Sequence, residues 1–170
     1  LADFGSLLFN SRSRSKEWEM AVASPFNKHI ILVGLGHLGY RVALKLHEVG
    51  EQIAVIEFNA NADTVSAARE LNIPVIHDDA VRPAALEAAN VKGARTIILA
   101  SQNDAMNLQI ALKARSINPK INVVVRIFDD DFAHALQDQF GFIALSATEM
   151  AAPVFATAAA GVDVTNPISI

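Results

Sequence analysis

The sequence predicts an α/β protein built on a doubly wound, Rossmann-like parallel sheet. Short apolar runs alternate with amphipathic stretches, which is typical of βαβ units with right-handed crossovers. The first apolar run enters a turn rich in glycine, as the first strand of such a sheet commonly does. Apolar residues make up 52% of the chain and aromatic residues 6%, so the core is aliphatic, as in sheets buried on both faces. We expect the strand order 3-2-1-4-5-6.

The first βαβ unit, residues 30–57, carries a dinucleotide-binding fingerprint. Its turn reads Gly-Leu-Gly-His-Leu-Gly at positions 34–39. Gly34 permits a tight turn, Gly36 lets the backbone approach a pyrophosphate, and Gly39 lets the helix pack closely on the strand. The N-terminus of the following helix offers unpaired N–H groups to the anion. These features predict a bound adenine nucleotide; the alternative is a glycine turn that only joins strand to helix.

The second apolar run of this unit ends on Glu57. An acid about 18 residues after the last glycine, at the end of a strand, is typical of an acceptor for ribose hydroxyls. A 2′-phosphate would meet a like charge there, so NADP is disfavoured. The alternative is an exposed acid at a strand end.

The later segments repeat the alternation of strand and helix. Residues 101–104 have the composition of a helix cap, Asn118-Pro119 stops that helix, and Gly141 closes the next one. We therefore assign residues 28–146 to one nucleotide-binding domain. The expected elements are a helix at 60–71, a strand at 74–77, a helix at 82–90, a strand at 96–100, a helix at 104–116, a strand at 121–126, a helix at 129–140 and a strand at 142–145.

The segments 1–27 and 147–170 differ from the domain between them. In the first segment, a short apolar stretch precedes three basic residues, which fits either a linker on the cytoplasmic side of a membrane helix or a solvated amphipathic leader. Residues 147–160 form an alanine-rich helical pattern ended by Gly161, and the rest reads as a truncated linker. The apolar side chains of this helix have no evident cover within the chain, so we expect a homodimer through it.

Composition argues against several other classes of function. The net charge of −4 disfavours a nucleic-acid groove, and the absence of cysteine excludes disulfides and thiolate catalysis. The five histidines are dispersed, so no zinc site is expected. The acids at 129–131 are expected to begin a helix, and weak binding of calcium is their alternative role. No apolar run reaches the length of about 18 residues that predicts a membrane helix.

The chain carries four motifs at a characteristic spacing. They are the glycine turn, Val55-Ile-Glu57, Asp78-Asp79-Ala80 and Ser101-Gln-Asn-Asp-Ala-Met-Asn107. This spacing, over about residues 30–160, resembles that of the RCK family, also called KTN or TrkA-N. The resemblance implies a cytoplasmic nucleotide-sensing domain of potassium channels and transporters, with NAD(H), AMP, ADP or ATP as its ligand. Members often carry arginine at the position of His37, where it can meet a terminal phosphate. Histidine there favours NAD(H), AMP or ADP over ATP.

The loops after the third and fourth strands are expected to hold the two ends of the nucleotide. Asp79, which is carried over from the family pattern, and Ala80 open the loop beside the adenine. The alternative role of Asp79 is that of a helix N-cap. Ala100 and Ser101 begin the loop on the other side of the first strand, where the second half of a dinucleotide lies.

Asn107 resembles a family position, and capping or packing is its alternative role. Arg126, at the end of a strand, is placed either to reach phosphate or to pair with Asp129 or Asp130. The full set of expected nucleotide contacts is Gly34, Gly36, His37, Leu38, Gly39, Glu57, Asp79, Ala80, Ala100, Ser101, Asn107 and Arg126.

An NAD-dependent oxidoreductase fragment is the alternative function. Such an enzyme needs a substrate-orienting part and a proton donor near the nicotinamide. The single tyrosine, Tyr40, directly follows the phosphate turn, and Lys45 lies five residues after it, so the two do not form a Tyr-x-x-x-Lys pair. These positions disfavour the enzyme. The resemblance to the RCK family implies a non-enzymatic regulatory domain at the cytoplasmic face of the membrane, acting on a potassium channel or transporter subunit.

Overall fold

A six-stranded, entirely parallel sheet forms the centre of the computed structural model, which describes residues 26–59 and 63–161. The strand order β3-β2-β1-β4-β5-β6 confirms the expected doubly wound fold. The strands are β1 (Ile30–Val33), β2 (Ile53–Glu57), β3 (Val75–His77), β4 (Thr96–Leu99), β5 (Asn122–Ile127) and β6 (Ile143–Ser146).

Helices connect the strands and cover both faces of the sheet. They are α1 (His37–Glu48), α2 (Asp63–Glu70), α3 (Pro83–Ala88), α4 (Asp104–Ile117), α5 (Asp130–Phe140) and α6 (Ala147–Ala159). Every expected element is present, and the ends that lie within the described residues differ from the expected ends by at most two residues. Residues 1–25 of the expected leader or linker, residues 60–62 at the start of the helix expected at 60–71, and the expected linker after Gly161 lie outside the described residues.

Side-chain caps set the boundaries of several helices. Asn103 accepts a hydrogen bond from the Met106 N–H at 2.9 Å, and Asp129 accepts one from Phe132 N–H at 2.9 Å. Gly141 adopts φ +63° at the end of α5, a left-handed conformation that glycine adopts without strain. Pro74 lies just before β3 and contributes only its carbonyl to the sheet, because proline has no N–H to donate.

The core consists of two aliphatic layers separated by the sheet. One layer includes Ile31, Ile97 and Leu99 packed against α3, α4 and α5, and the other includes Leu32 and Val55 packed against α1 and α2. Because alternate residues of a strand point to opposite faces, β1, β2 and β4 contribute side chains to both layers. Because all the strands are parallel, the carboxyl ends of β1, β2, β4 and β5 lie at the same edge of the sheet, where doubly wound folds bind ligands.

The terminal helix α6 follows the edge strand β6 and has no buried residue. Its Met150, Val154 and Phe155 are 55%, 51% and 76% exposed, so the apolar surface expected from the sequence is present. Within the described part of the chain, no helix has both the length and the apolarity needed to cross a membrane.

Candidate nucleotide-binding site

The glycine turn joins β1 to α1, and each of its three glycines has a different structural role. Gly34 has φ +88°, a left-handed conformation that favours glycine, and its N–H donates to the Ile56 carbonyl at 2.9 Å. A Cβ added to Gly39 would lie 2.0 Å from the Gly34 carbonyl oxygen, so only glycine allows α1 to pack this closely on the turn. Gly36 has extended backbone, and a Cβ there would meet nothing within 4 Å. The space in front of Gly36 is thus open to a ligand.

The N-terminus of α1 points into this open space. Gly36 is the N-cap of the helix and supplies no side-chain cap for the first N–H groups. Uncapped N–H groups and the helix dipole both favour an anion at such a position. The turn therefore has the geometry of a phosphate site.

The carboxylate of Glu57 is bound to the backbone on both sides of the cleft between β1 and β2. One oxygen accepts from the N–H of Leu35 in the glycine turn, and the other accepts from Asn59 N–H at 2.7 Å. Glu57 is half-buried, so it differs from a freely exposed acid at a strand end. Each carboxylate oxygen can accept more than one hydrogen bond, which leaves capacity for ribose hydroxyls.

The loop after β3 is a compact turn held by its own side chains. Asp79 accepts from Val81 N–H at 2.9 Å, and Asp78 pairs with Arg82 at 3.0 Å. Asp79 is not the N-cap of α3, because Arg82 occupies that position without a side-chain cap. The capping alternative for Asp79 is thus wrong, and the side chain stabilises the loop itself.

On the other side of β1, Asn107 is completely buried beneath the loop that starts at Ala100. Its amide group donates to the carbonyls of Ser101 at 3.0 Å and Arg126 at 2.9 Å, and its oxygen accepts from the Ser101 hydroxyl at 2.6 Å. These contacts match the packing alternative for Asn107. Its direct contact with a nucleotide stays a prediction, and Asn107 holds together the ends of β4 and β5.

Arg126 is the cationic group at this end of the site. Its guanidinium lies 4.4 Å from the centre of the Phe128 ring, and its Nε atom is buried without a hydrogen-bond partner among the described residues. No ion pair joins it to Asp129 or Asp130 within the described part of the chain, so the salt-bridge alternative is wrong. A half-buried cation with unused donors favours an anionic ligand.

Most of these groups line one cavity of about 620 Å³. Small-molecule sites typically enclose roughly 300–1,000 Å³. Ten of the twelve expected contact residues line it, and Gly39 and Asn107 do not. The residues that line the cavity and that sequence reasoning missed are Val33, Ile56, Phe58, Asp78, Gln102, Met106 and Ile110. Helical spacing places Met106 and Ile110 on one face of α4, but it does not show which way that face points.

Charge is distributed unequally along the cavity. Glu57, Asp78 and Asp79 lie at the end formed by β2 and β3, whereas Arg126 lies at the end formed by β4 and β5. Among residues 26–59 and 63–161, no three acidic or histidine side chains are close enough to hold a metal ion. The cavity thus offers acceptors at one end, a cation at the other and a phosphate turn between them.

Residues 30–147 match the TrkA-N domain family. The chain belongs to this family. A Trk system potassium uptake protein TrkA homolog from Pyrococcus abyssi is 34% identical over 105 residues, which are 59% of this chain and 44% of the relative. A putative K⁺ efflux antiporter KefB from Alkalimonas amylolytica is 28% identical over 110 residues, 65% of this chain and 16% of the relative. The TrkA-N chain described here spans less than half the length of either protein.

Solved TrkA-N structures share the fold. The TrkA-N domain of the inner membrane protein YbaL from Escherichia coli superposes with a TM-score of 0.71 at 22% identity, covering 79% of this chain and 98% of that one. The AMP-bound Kef C-terminal domain from Shewanella denitrificans gives a TM-score of 0.68 at 22% identity, covering 78% and 79%. The GsuK channel bound to NAD gives 0.54 at 20% identity, covering 66% and 20%.

Proposed function

We propose that this TrkA-N domain binds an adenine nucleotide and regulates the potassium transport of a channel or transporter to which it belongs or binds. The cavity carries the proposal, because it joins a phosphate turn, a carboxylate for ribose and a distant cation in one space of about 620 Å³. The matched relatives include potassium uptake and antiport proteins, and related folds have been solved with AMP and with NAD. Such a domain acts at the cytoplasmic face of the membrane.

In the proposed complex the phosphates sit at the N-terminus of α1, in front of Gly36 and beside His37. Glu57 accepts the adenosine ribose hydroxyls, and the adenine lies against the loop at Asp79 and Ala80. This orientation follows the polarity of the cavity, since the acceptor-rich end suits hydroxyls and an amino group. NADPH binds poorly, because its 2′-phosphate would face the carboxylate of Glu57.

The second half of a dinucleotide then lies along Ala100, Ser101 and the apolar side chains of α4. Arg126 lies at this end, where its unused donors can meet an anionic oxygen of the ligand. We place NAD(H), AMP and ADP before ATP among the ligands, since His37 carries less charge near neutral pH than arginine does.

The proposed role is regulatory rather than enzymatic. Tyr40 packs against the aliphatic layer that contains Leu32 and Val55, and it does not line the cavity. Hydride transfer needs a proton donor and a bound substrate beside the nicotinamide. We therefore expect this domain to bind NADH without oxidising it in the presence of small carbonyl substrates.

A ligand regulates transport only if it binds one conformational state better than another. We propose that α6 pairs with its counterpart in a second copy, as a homodimer or within a larger ring. The exposed Met150, Val154 and Phe155 would be covered by such a contact, as would Ile143 and Leu145 on the neighbouring edge strand. A nucleotide that binds one arrangement tenfold better than another shifts the equilibrium by about 1.4 kcal/mol per site.

Isothermal titration calorimetry of the purified domain tests the proposal. AMP, ADP, ATP, NAD⁺, NADH and NADPH are titrated separately into protein freed of bound nucleotide by unfolding and refolding. We expect saturable binding of NADH and of AMP with a stoichiometry of one per chain, and weaker binding of NADPH than of NADH. Absence of binding by all six compounds would remove the proposed function.

A further inference from the structure

Helix α4 contributes more to the cavity than the two side chains that line it. Met106 and Ile110 face the cavity, and Lys113 follows Ile110 by three residues. With 3.6 residues per turn, these positions fall on one stripe of the helix. Lys113 therefore continues the cavity-facing stripe beyond the cavity wall.

Lys113 connects α4 to the loop after β3, residues 78–82, which we call the base-side loop. The ammonium group of Lys113 donates a hydrogen bond to the carbonyl of Val81, from a half-buried side chain. The base-side loop also has bonds of its own: Asp79 accepts from Val81 N–H at 2.9 Å, and Arg82 N–H donates to the Asp79 carbonyl at 2.9 Å. Lys113 thus holds, from a separate helix, a turn that is otherwise closed on itself.

The contact differs from that of an ordinary surface lysine. Lys120, in the turn after α4, is exposed, whereas Lys113 is half-buried. Among the described residues Lys113 forms no ion pair, so its ammonium is directed to a backbone carbonyl rather than to a carboxylate. Ordering a long side chain opposes folding entropically, and a charged donor offsets this through a stronger hydrogen bond.

We propose that Lys113 is a positioning residue for the nucleotide base. Through its hydrogen bond to the Val81 carbonyl, Lys113 keeps the base-side loop in the position in which Asp79 and Ala80 line the cavity. The same helix also ties the other end of the cavity together, because Asn107 bonds the carbonyls of Ser101 and Arg126. Helix α4 therefore fixes the distance between the two ends of the ligand site. This inference rests on the proposed nucleotide binding.

The test compares two ligands that share a sugar phosphate but differ in the base. AMP affinity is measured by calorimetry, and ribose 5-phosphate affinity by its competition with AMP, for wild type and for Lys113→Met. Methionine keeps the apolar stem and removes the donor. We expect the Kd of AMP to rise about three- to tenfold and that of ribose 5-phosphate to change less than about twofold, as expected for one lost hydrogen bond that acts on the base alone.

Two further variants and one measurement without ligand complete the experiment. Lys113→Arg keeps a donor and should restore AMP affinity to within about twofold, and Lys120→Met serves as the matched control with no effect. Amide hydrogen exchange in the free protein should become faster at Val81 and Arg82 in Lys113→Met and stay unchanged in β1.

Three results would overturn the inference. These are unchanged AMP affinity in Lys113→Met, an equal loss for AMP and ribose 5-phosphate, or an equal effect of Lys120→Met. If wild type binds no AMP, the proposed function itself fails and the inference falls with it. If wild type binds AMP and Lys113→Met binds it equally well, only the role of Lys113 is lost.

Discussion

Two glycines of the phosphate turn, Gly36 and Gly39, should respond in opposite ways to an added side chain. A Cβ at Gly36 meets nothing within 4 Å, and the residue has φ −67° and ψ −168°, a conformation that any residue adopts. A Cβ at Gly39 would lie 2.0 Å from the Gly34 carbonyl oxygen. We therefore expect Gly36→Val to remove binding and keep the fold, and Gly39→Ala to weaken the fold.

The magnitude for Gly36→Val follows from the hydrogen bonds that a displaced phosphate would lose. Two bonds between an anion and backbone N–H groups contribute about 1.5–3 kcal/mol each, so their loss raises the Kd by roughly two to four orders of magnitude. Valine is a poorer N-cap than glycine, but it also restricts the unfolded chain, and the two effects leave stability within about 1 kcal/mol of wild type.

The magnitude for Gly39→Ala comes from steric overlap with the backbone. An ordinary contact between carbon and oxygen is about 3.3 Å, so α1 and the turn must separate by roughly 1.3 Å. Such overpacking costs about 3 kcal/mol, and the higher helix propensity of alanine returns about 1 kcal/mol. The net loss of about 2 kcal/mol lowers the Tm by about 4–8 °C in a domain of this size.

Both variants are assayed by thermal unfolding in circular dichroism and by calorimetric titration with AMP and NADH. The reasoning is refuted if Gly36→Val keeps both the wild-type Tm and wild-type affinity, or if Gly39→Ala unfolds at the wild-type temperature.

The remaining predictions concern three other parts of the domain. Glu57→Ala should weaken the binding of AMP and of NADH alike by about 1.5–3 kcal/mol. It should also lower stability, because the buried Leu35 N–H loses its acceptor. Equal affinities in titrations of variant and wild type would place ribose elsewhere. Burial lowers the pKa of His29 below its ordinary value of 6.5, so the contribution of neutral His29 to stability is complete above pH 6.5 and is lost as the pH falls toward the lowered value. Urea unfolding from pH 7 to pH 5 should show this loss of stability in wild type and a smaller loss in His29→Gln. Phe155→Asp should convert the expected dimer to monomers in light scattering at tens of micromolar, and a monomeric wild type under those conditions would contradict pairing through α6.

The sequence predicts the structure best where a local backbone geometry requires one type of residue, such as glycine or a helix-capping side chain. The positive φ of Gly34, the close packing at Gly39 and the cap formed by Asn103 all follow from local rules, and the structure confirms each of them. The strand order was predictable because doubly wound sheets have few topologies.

Contacts between distant segments were not predictable in this way. The contact from Lys113 to Val81 and the burial of Asn107 depend on how α4 lies across the sheet, which its own sequence does not specify. The same orientation brings Met106 and Ile110 into the cavity. The sequence predicts Glu57 as a ligand acceptor, but its bond from the Leu35 N–H depends on the approach of the glycine turn to the end of β2.

The central strand β1 acquires its two neighbours at very different stages of synthesis. Ile30 pairs with Ile53 of β2, which follows soon along the chain, and with Thr96 of β4, which is made much later. Until β4 leaves the ribosome, the apolar edge Ile30–Val33 has unpaired N–H and carbonyl groups that invite pairing with other chains. A fragment that ends before β4 should therefore aggregate, even though it already contains the whole glycine turn and Glu57.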